Sequence, residues 1–324
     1  MAEINIKYYI FKPANHFYFL YNISKWHFSC RKPIYEYWPK LTGKYTKEEK
    51  EALKLFKGII KKHKFKLWSI FRYPTYNNVN KRISESTLLS SIEKKNLKKI
   101  LKITQIRFDE VWKTEESNLK NWYPEISVYS KDEAIAKDLE TFFGHSKYKK
   151  VNVLLLMGGD RDGGGGGANI GSNWVEQEIG IKNTSLTPIK NVLWHEITHL
   201  LFTNRKNKVI KEYLKDNKIQ KEITSLGRDG SDVQFIYETV TATLFPRGIL
   251  AEKHFNRKNR KTINNSDIKK ILEIGPDPHI AEKFIIAKYY KQFEDYFKKG
   301  LKFDEEYIRI IHRGYLEYLE IFKK

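Results

Sequence analysis

An α+β fold is predicted for this chain: a small mixed sheet followed by a mainly helical C-terminal part. Three observations predict it. Strand-like segments occur at 4–11, at Val151 to Met157 and between Ala168 and Ile181. Long stretches with apolar residues at helical spacing surround them. No internal repeat appears, and no linker is long enough to separate independent domains. The division read from the sequence is 1–104 as an N-terminal α/β scaffold or cap and 105–324 as the domain carrying the chemistry.

In chain order, 4–11 alternates enough for a strand, and the aromatic segment His16 to Phe28 reads as a helix. Lys47 to His63 repeats apolar positions at Leu53, Leu55, Phe56, Ile59 and Ile60, which predicts another helix. Two amphipathic stretches follow, Ser84 to Ile103 and Phe108 to Trp122, then a short strand at Ile126-Ser-Val-Tyr and a helix near Asp132 to Phe143. Val151 to Met157 has the length of a buried strand, and Gly163–Gly167 leads from it into an edge strand or hairpin over 168–181. Thr187-Pro188 reads as an N-cap followed by a first-turn proline, opening a helix to about Thr203. A Lys-rich helix is expected over Asn207 to Leu226, a polar break over Gly227 to Asp232, and an apolar helix over Val233 to Phe245, stopped by Pro246 and Gly248. Ile280 to Phe297 and Asp304 to Phe322 read as two aromatic-rich helices.

Composition bounds the function. The 324 residues are 40% hydrophobic and 14% aromatic, which argues for a folded core rather than disorder. The single cysteine, Cys30, excludes an internal disulfide and a cysteine-based zinc site, so a metal would need histidine and carboxylate ligands. Glu3, Lys7 and Lys12 interrupt the N-terminal apolar residues, and no apolar run reaches the length of a membrane span. The chain therefore reads as a soluble, cytoplasmic protein. Its net charge of +21 comes from lysine spread over every segment. The densest basic stretch, Arg257-Lys258-Asn259-Arg260-Lys261, is short and lacks interleaved aromatics, so the charge reads as solvated lysine rather than a nucleic-acid surface.

The chemistry concentrates in His195-Glu196-Ile197-Thr198-His199. Four-residue spacing puts both imidazoles on one helix face, one turn apart, within reach of a single metal. Glu196, rotated one residue round, can address a water on that metal. Leu193, Ile197, Leu200 and Leu201 form the opposite, core-facing stripe. A catalytic zinc needs a third protein ligand. Glu238 is the best candidate, because it is the only charged side chain in an otherwise apolar helix. The bland alternatives are a Glu238 paired with Arg247 and two ordinary core histidines. Glu222, in the Lys-rich helix, is the rival ligand.

These residues resemble the gluzincin branch of the zincin metallopeptidases, whose pattern is H-E-x-x-H followed by a glutamate ligand on a later helix. The matching segments are 195–199 and Glu238-Thr239-Val240-Thr241-Ala242, and the resemblance covers roughly 105–250. Uncharacterised bacterial peptidases of this branch also carry a strand and a glycine-rich loop before the motif. The resemblance implies a zincin-like fold, zinc on His195, His199 and Glu238, and Glu196 as general base in peptide hydrolysis. It also implies an edge strand over 168–181 that pairs with an extended peptide substrate. The third histidine of metzincins is missing. Ala242 stands where several gluzincins place an aspartate that orients the first histidine, so that partner must come from elsewhere. Tyr237, His279, Tyr289 and Tyr290 are available as oxyanion donors. The Gly163–Gly167 run reads either as a flexing rim or as a surface loop without a role. A catalytically silent zincin-fold binding protein and a basic nucleic-acid-binding protein are the alternative functions.

Overall fold

The computed structural model describes residues 4–27, 29–169, 172–215, 232–256 and 263–323. In chain order the elements are β1 (Asn5–Tyr9), α1 (Lys12–Ile23), α2 (Lys32–Thr42), α3 (Lys47–His63), a 3₁₀ turn (Lys64–Leu67), α4 (Trp68–Phe71), α5 (Tyr76–Glu85), α6 (Ser91–Ser127) and α7 (Asp132–Phe143). They continue with β2 (Lys150–Met157), β3 (Gly166–Asn169), β4 (Trp174–Ile179), α8 (Leu186–Tyr213), α9 (Asp232–Ala242), α10 (Ile249–Phe255), α11 (Asn265–Ile274), α12 (Pro278–Lys298) and α13 (Glu305–Glu320). The protein is a mixed α+β fold, mostly helical, with one small four-stranded sheet among the described residues.

Sheet order is β1-β2-β4-β3. β1 pairs with β2 and β2 with β4 in parallel, whereas β3 returns antiparallel against β4. β2 is buried at every position after Lys150, as its apolar run requires. β1 ends opposite Leu154, and the Asn15 side chain continues the pairing. Its amide accepts from the Met157 N–H at 2.8 Å and donates to the Leu155 carbonyl at 3.2 Å. A buried strand edge that would otherwise leave backbone groups unpaired is thereby satisfied.

Several elements differ from the sequence reading, each for a local reason. The first expected amphipathic stretch begins in the end of α5, and from Ser91 onward both stretches merge into the single 37-residue α6, opened by a capping box of Ser90 and Glu93. The strand expected at 126–129 is absent: Ile126 and Ser127 end α6, and Ile126 is fully buried one heptad after Leu119. Residues 104 and 105 both lie in α6, and β1 belongs to the same sheet as β2 and β4. α8 starts at Leu186 with Ser185 as N-cap, so Thr187 is not the cap. Pro188 still fits, because first-turn N–H groups have no intrahelical acceptor. α8 then runs unbroken past Thr203 to Tyr213, burying Lys206, Val209 and Ile210. The remainder of the expected Lys-rich helix, the polar break and the rival ligand Glu222 lie outside the described residues, as does the basic stretch 257–261.

α8 packs against β3 and β4 and is pinned at its first turns. Lys190, fully buried, donates to Asp132 Oδ2 at 2.7 Å and to the Tyr8 hydroxyl at 2.9 Å. Trp194 Nε1 donates to the other oxygen of Asp132 at 2.7 Å. One carboxylate at the start of α7 thus joins β1, α7 and the turn of α8 immediately before His195.

Candidate metal centre

His195 and His199 project from one face of α8, while Leu193, Ile197, Leu200 and Leu201 are buried on the other. α9 brings Glu238 to them. The ligand atoms of His195, His199 and Glu238 lie within 4.8 Å of one another. The two Nε2 atoms are 3.0 Å apart, and Glu238 Oε2 is 3.1 Å from His199 Nε2 and 3.5 Å from His195 Nε2. A tetrahedral ion with bonds of about 2.0–2.1 Å needs donors about 3.3–3.4 Å apart. The N₂O donor set and its spacing fit such an ion. Arg247 does not pair with Glu238; it borders a separate apolar groove between α11 and α12.

The donors are held from behind. His195 Nδ1 lies 2.8 Å from the Phe245 carbonyl, so Nδ1 carries the hydrogen and the Nε2 lone pair points toward the other two donors. This carbonyl follows the last turn of α9, where Phe245 N–H bonds back to Thr241. It takes the place of the side-chain partner that Ala242 cannot supply. Gln234, one turn before Glu238, donates to Glu238 Oε1 at 2.7 Å and leaves Oε2 for the histidines. His199 stacks on Tyr237, with ring centroids 4.7 Å apart, and its Nδ1 faces Lys206 Nζ at 3.1 Å.

The electrostatics follow from burial. Burial pulls His195 down, but Glu238 and Glu196 outweigh it and hold the imidazole at about 9. Burial, aided by Lys206, takes His199 down to about 3. Burial raises Glu238, but His199 and His195 outweigh it and hold the carboxylate well below its ordinary value. Burial lifts Glu196 to about 7, with the Glu238 charge adding and His195 and an Ala168 backbone hydrogen bond opposing.

The glycine run is packed against the site. A Cβ at Gly166 would lie 2.7 Å from Glu196 Cγ, so only glycine lets β3 pass directly over this side chain. The strand on the rim is accordingly β3, beginning inside the glycine run. β4, which was expected to form part of the edge, is an interior strand. Of the four oxyanion candidates, the three tyrosines place their hydroxyls on a carbonyl or a carboxylate. The Tyr237 hydroxyl donates to the His199 carbonyl at 3.1 Å, Tyr289 donates to Glu317 at 2.6 Å, and Tyr290 donates to Glu252. His279 lines a small pocket together with Glu238 and Gln234.

Sequence reasoning missed Gln234 and Lys206, although the spacing held a signal. Gln234 precedes Glu238 by four residues, and Lys206 follows His199 by seven, the separations that share a helix face. No helix among the described residues is long and apolar enough to cross a membrane. Comparison with family models, curated proteins and solved structures finds no match to this chain.

Proposed function

We propose that this chain is a zinc-dependent peptidase, with the ion held by His195 Nε2, His199 Nε2 and Glu238 Oε2. The observation that carries the reading is the convergence of these three donors, with Glu196 beside them under an edge strand. A zinc ion there would polarise a carbonyl and bring the pKa of a coordinated water toward about 7. Glu196 takes the proton from the attacking water and returns it to the leaving amine. Phe245 keeps His195 in the tautomer that offers Nε2. β3 is hydrogen-bonded to β4 on one side and faces the cleft with the other, where an extended peptide can align. His279, which lines a small pocket with Glu238, is placed to stabilise negative charge on the substrate oxygen.

The test is Glu196→Gln, assayed on a broad peptide mixture with and without chelator. Cleavage is expected to fall by about 10²–10⁴-fold, with metal content unchanged. Cleavage at the wild-type rate by this variant, or in the presence of excess chelator, would overturn the reading.

A further inference from the structure

The metal centre opens into a cavity of about 630 Å³ whose wall includes Glu238, the backbone of β3 and four aromatic side chains, Tyr18, Tyr21, Phe65 and Trp68. The aromatics all come from the first 70 residues, which thus build one side of the cleft. Two carboxylates and one cation also line it: Glu176, Glu178 and Arg31. Both carboxylates are answered from behind. Arg72 pairs with Glu176, and Arg161 Nη1 lies 2.6 Å from Glu178 Oε2. With Glu176 and Glu178 so answered, Arg31 is the remaining cation of the wall and Glu238 its remaining carboxylate.

Arg31 is also placed to use its charge. Its Nε bonds Glu178 at 3.0–3.2 Å, which anchors the side chain, while neither terminal nitrogen has a hydrogen-bond partner among the described residues. The side chain is 40% exposed. Gly165 makes room for its fork: a Cβ there would lie 2.5 Å from Arg31 Nη2. The guanidinium consequently reaches over the start of β3, near enough for its charge to act on Glu196.

We propose that Arg31 binds a carboxylate of the substrate, so that the site favours peptides carrying a carboxylate and an apolar or aromatic side chain close to the scissile bond. A planar fork with free N–H groups matches a carboxylate in geometry and charge, and the aromatic walls bury the neighbouring side chain. The carboxylate is either the chain terminus or an Asp or Glu side chain. The inference rests on the peptidase reading only for the word substrate; the ligand class follows from the cavity itself.

The test is calorimetric binding to the full-length, zinc-loaded protein. One ligand pair is N-acetyl-phenylalanine and its amide, which probes a terminal carboxylate. The other is N-acetyl-Phe-Asp-amide and N-acetyl-Phe-Asn-amide, which probes a side chain. In at least one pair the acid is expected to bind about ten-fold or more tightly, and the pair that shows it identifies the source. In Arg31→Gln the acid-to-amide ratio should fall to near one. Arg31→Lys, which keeps the charge and loses the fork, should retain part of the preference and serves if the glutamine variant does not fold. Equal binding in both pairs, or a preference that survives in Arg31→Gln because the metal takes the carboxylate, would overturn the proposal. Cleavage without acid preference removes Arg31 and spares the metal-centre reading; an Arg31-dependent preference without cleavage does the reverse.

Discussion

The two halves of α8 each bury a lysine completely, and they differ in what answers it. Lys190, before the motif, meets Asp132 at 2.7 Å and the Tyr8 hydroxyl at 2.9 Å. Lys206, after the motif, has no carboxylate within ion-pair distance among the described residues. It touches Thr241 Oγ1 at 2.6 Å, His199 Nδ1 at 3.1 Å and the Tyr237 ring at 3.7 Å from the centroid. Burial lowers both amines, but Asp132 opposes the shift at Lys190, whereas Lys206 drops to about 7. A neutral Lys206 accepts the Nδ1 hydrogen of His199 and leaves Nε2 as a ligand, whereas an ammonium would donate to Nδ1 instead. The paired lysine is a structural tie; the unpaired one bears on the state of a donor.

Removing each lysine separates these roles. Lys190→Met strands the Asp132 carboxylate and is expected to cost about 3–5 kcal/mol. The double variant Lys190→Met/Asp132→Asn should recover most of that, since asparagine still accepts from Trp194. Lys206→Met strands no opposite charge and should cost less, about 1–3 kcal/mol for the buried Thr241 and His199 groups that lose a partner. Urea unfolding with chelator present keeps metal binding out of the comparison. A larger loss at Lys206 than at Lys190 would reverse the contrast.

A smaller effect tests the same contrast away from the site. Glu115 of α6 accepts from Trp38 Nε1 at 2.8 Å and has no cation partner among the described residues, and burial raises it to about 7. With its folded value above its unfolded one, the native state holds the extra proton between about 4.5 and 7. That contribution is full below about 4.5 and is lost as pH rises through 7. Glu115→Gln should match wild type at pH 4.5 and exceed it by about 2–3 kcal/mol above pH 7. A stability difference independent of pH would show that Glu115 ionises normally in the fold.

What the sequence discloses is local. The i,i+4 histidines, the core stripe opposite them and the lone acid in the Val233–Phe245 segment are readable because each depends on helical spacing alone. α3 and α7 are legible for the same reason: their apolar residues repeat without interruption, and α3 opens on a Thr46–Glu49 capping box. The Phe245 carbonyl is not legible, because a backbone acceptor carries no residue signature. Nor is the edge strand, whose identity depends on β2 pairing with β4 rather than on any property of 168–181. Arg31 and Asp132 act on residues far along the chain, Glu178 and Lys190, and no periodicity connects them. Ile126 misleads because an isoleucine on the buried face of a helix's last turn looks like a strand residue out of context.

The most direct test of the whole account is the metal stoichiometry of the purified full-length protein, measured beside His199→Ala and Glu238→Ala after dialysis against micromolar zinc. One zinc ion per wild-type chain is expected, with that binding lost in both variants while circular dichroism shows them folded. A folded wild-type protein that takes up no stoichiometric zinc, or variants that bind it as well as the parent, would contradict the convergence of His195, His199 and Glu238 on one ion.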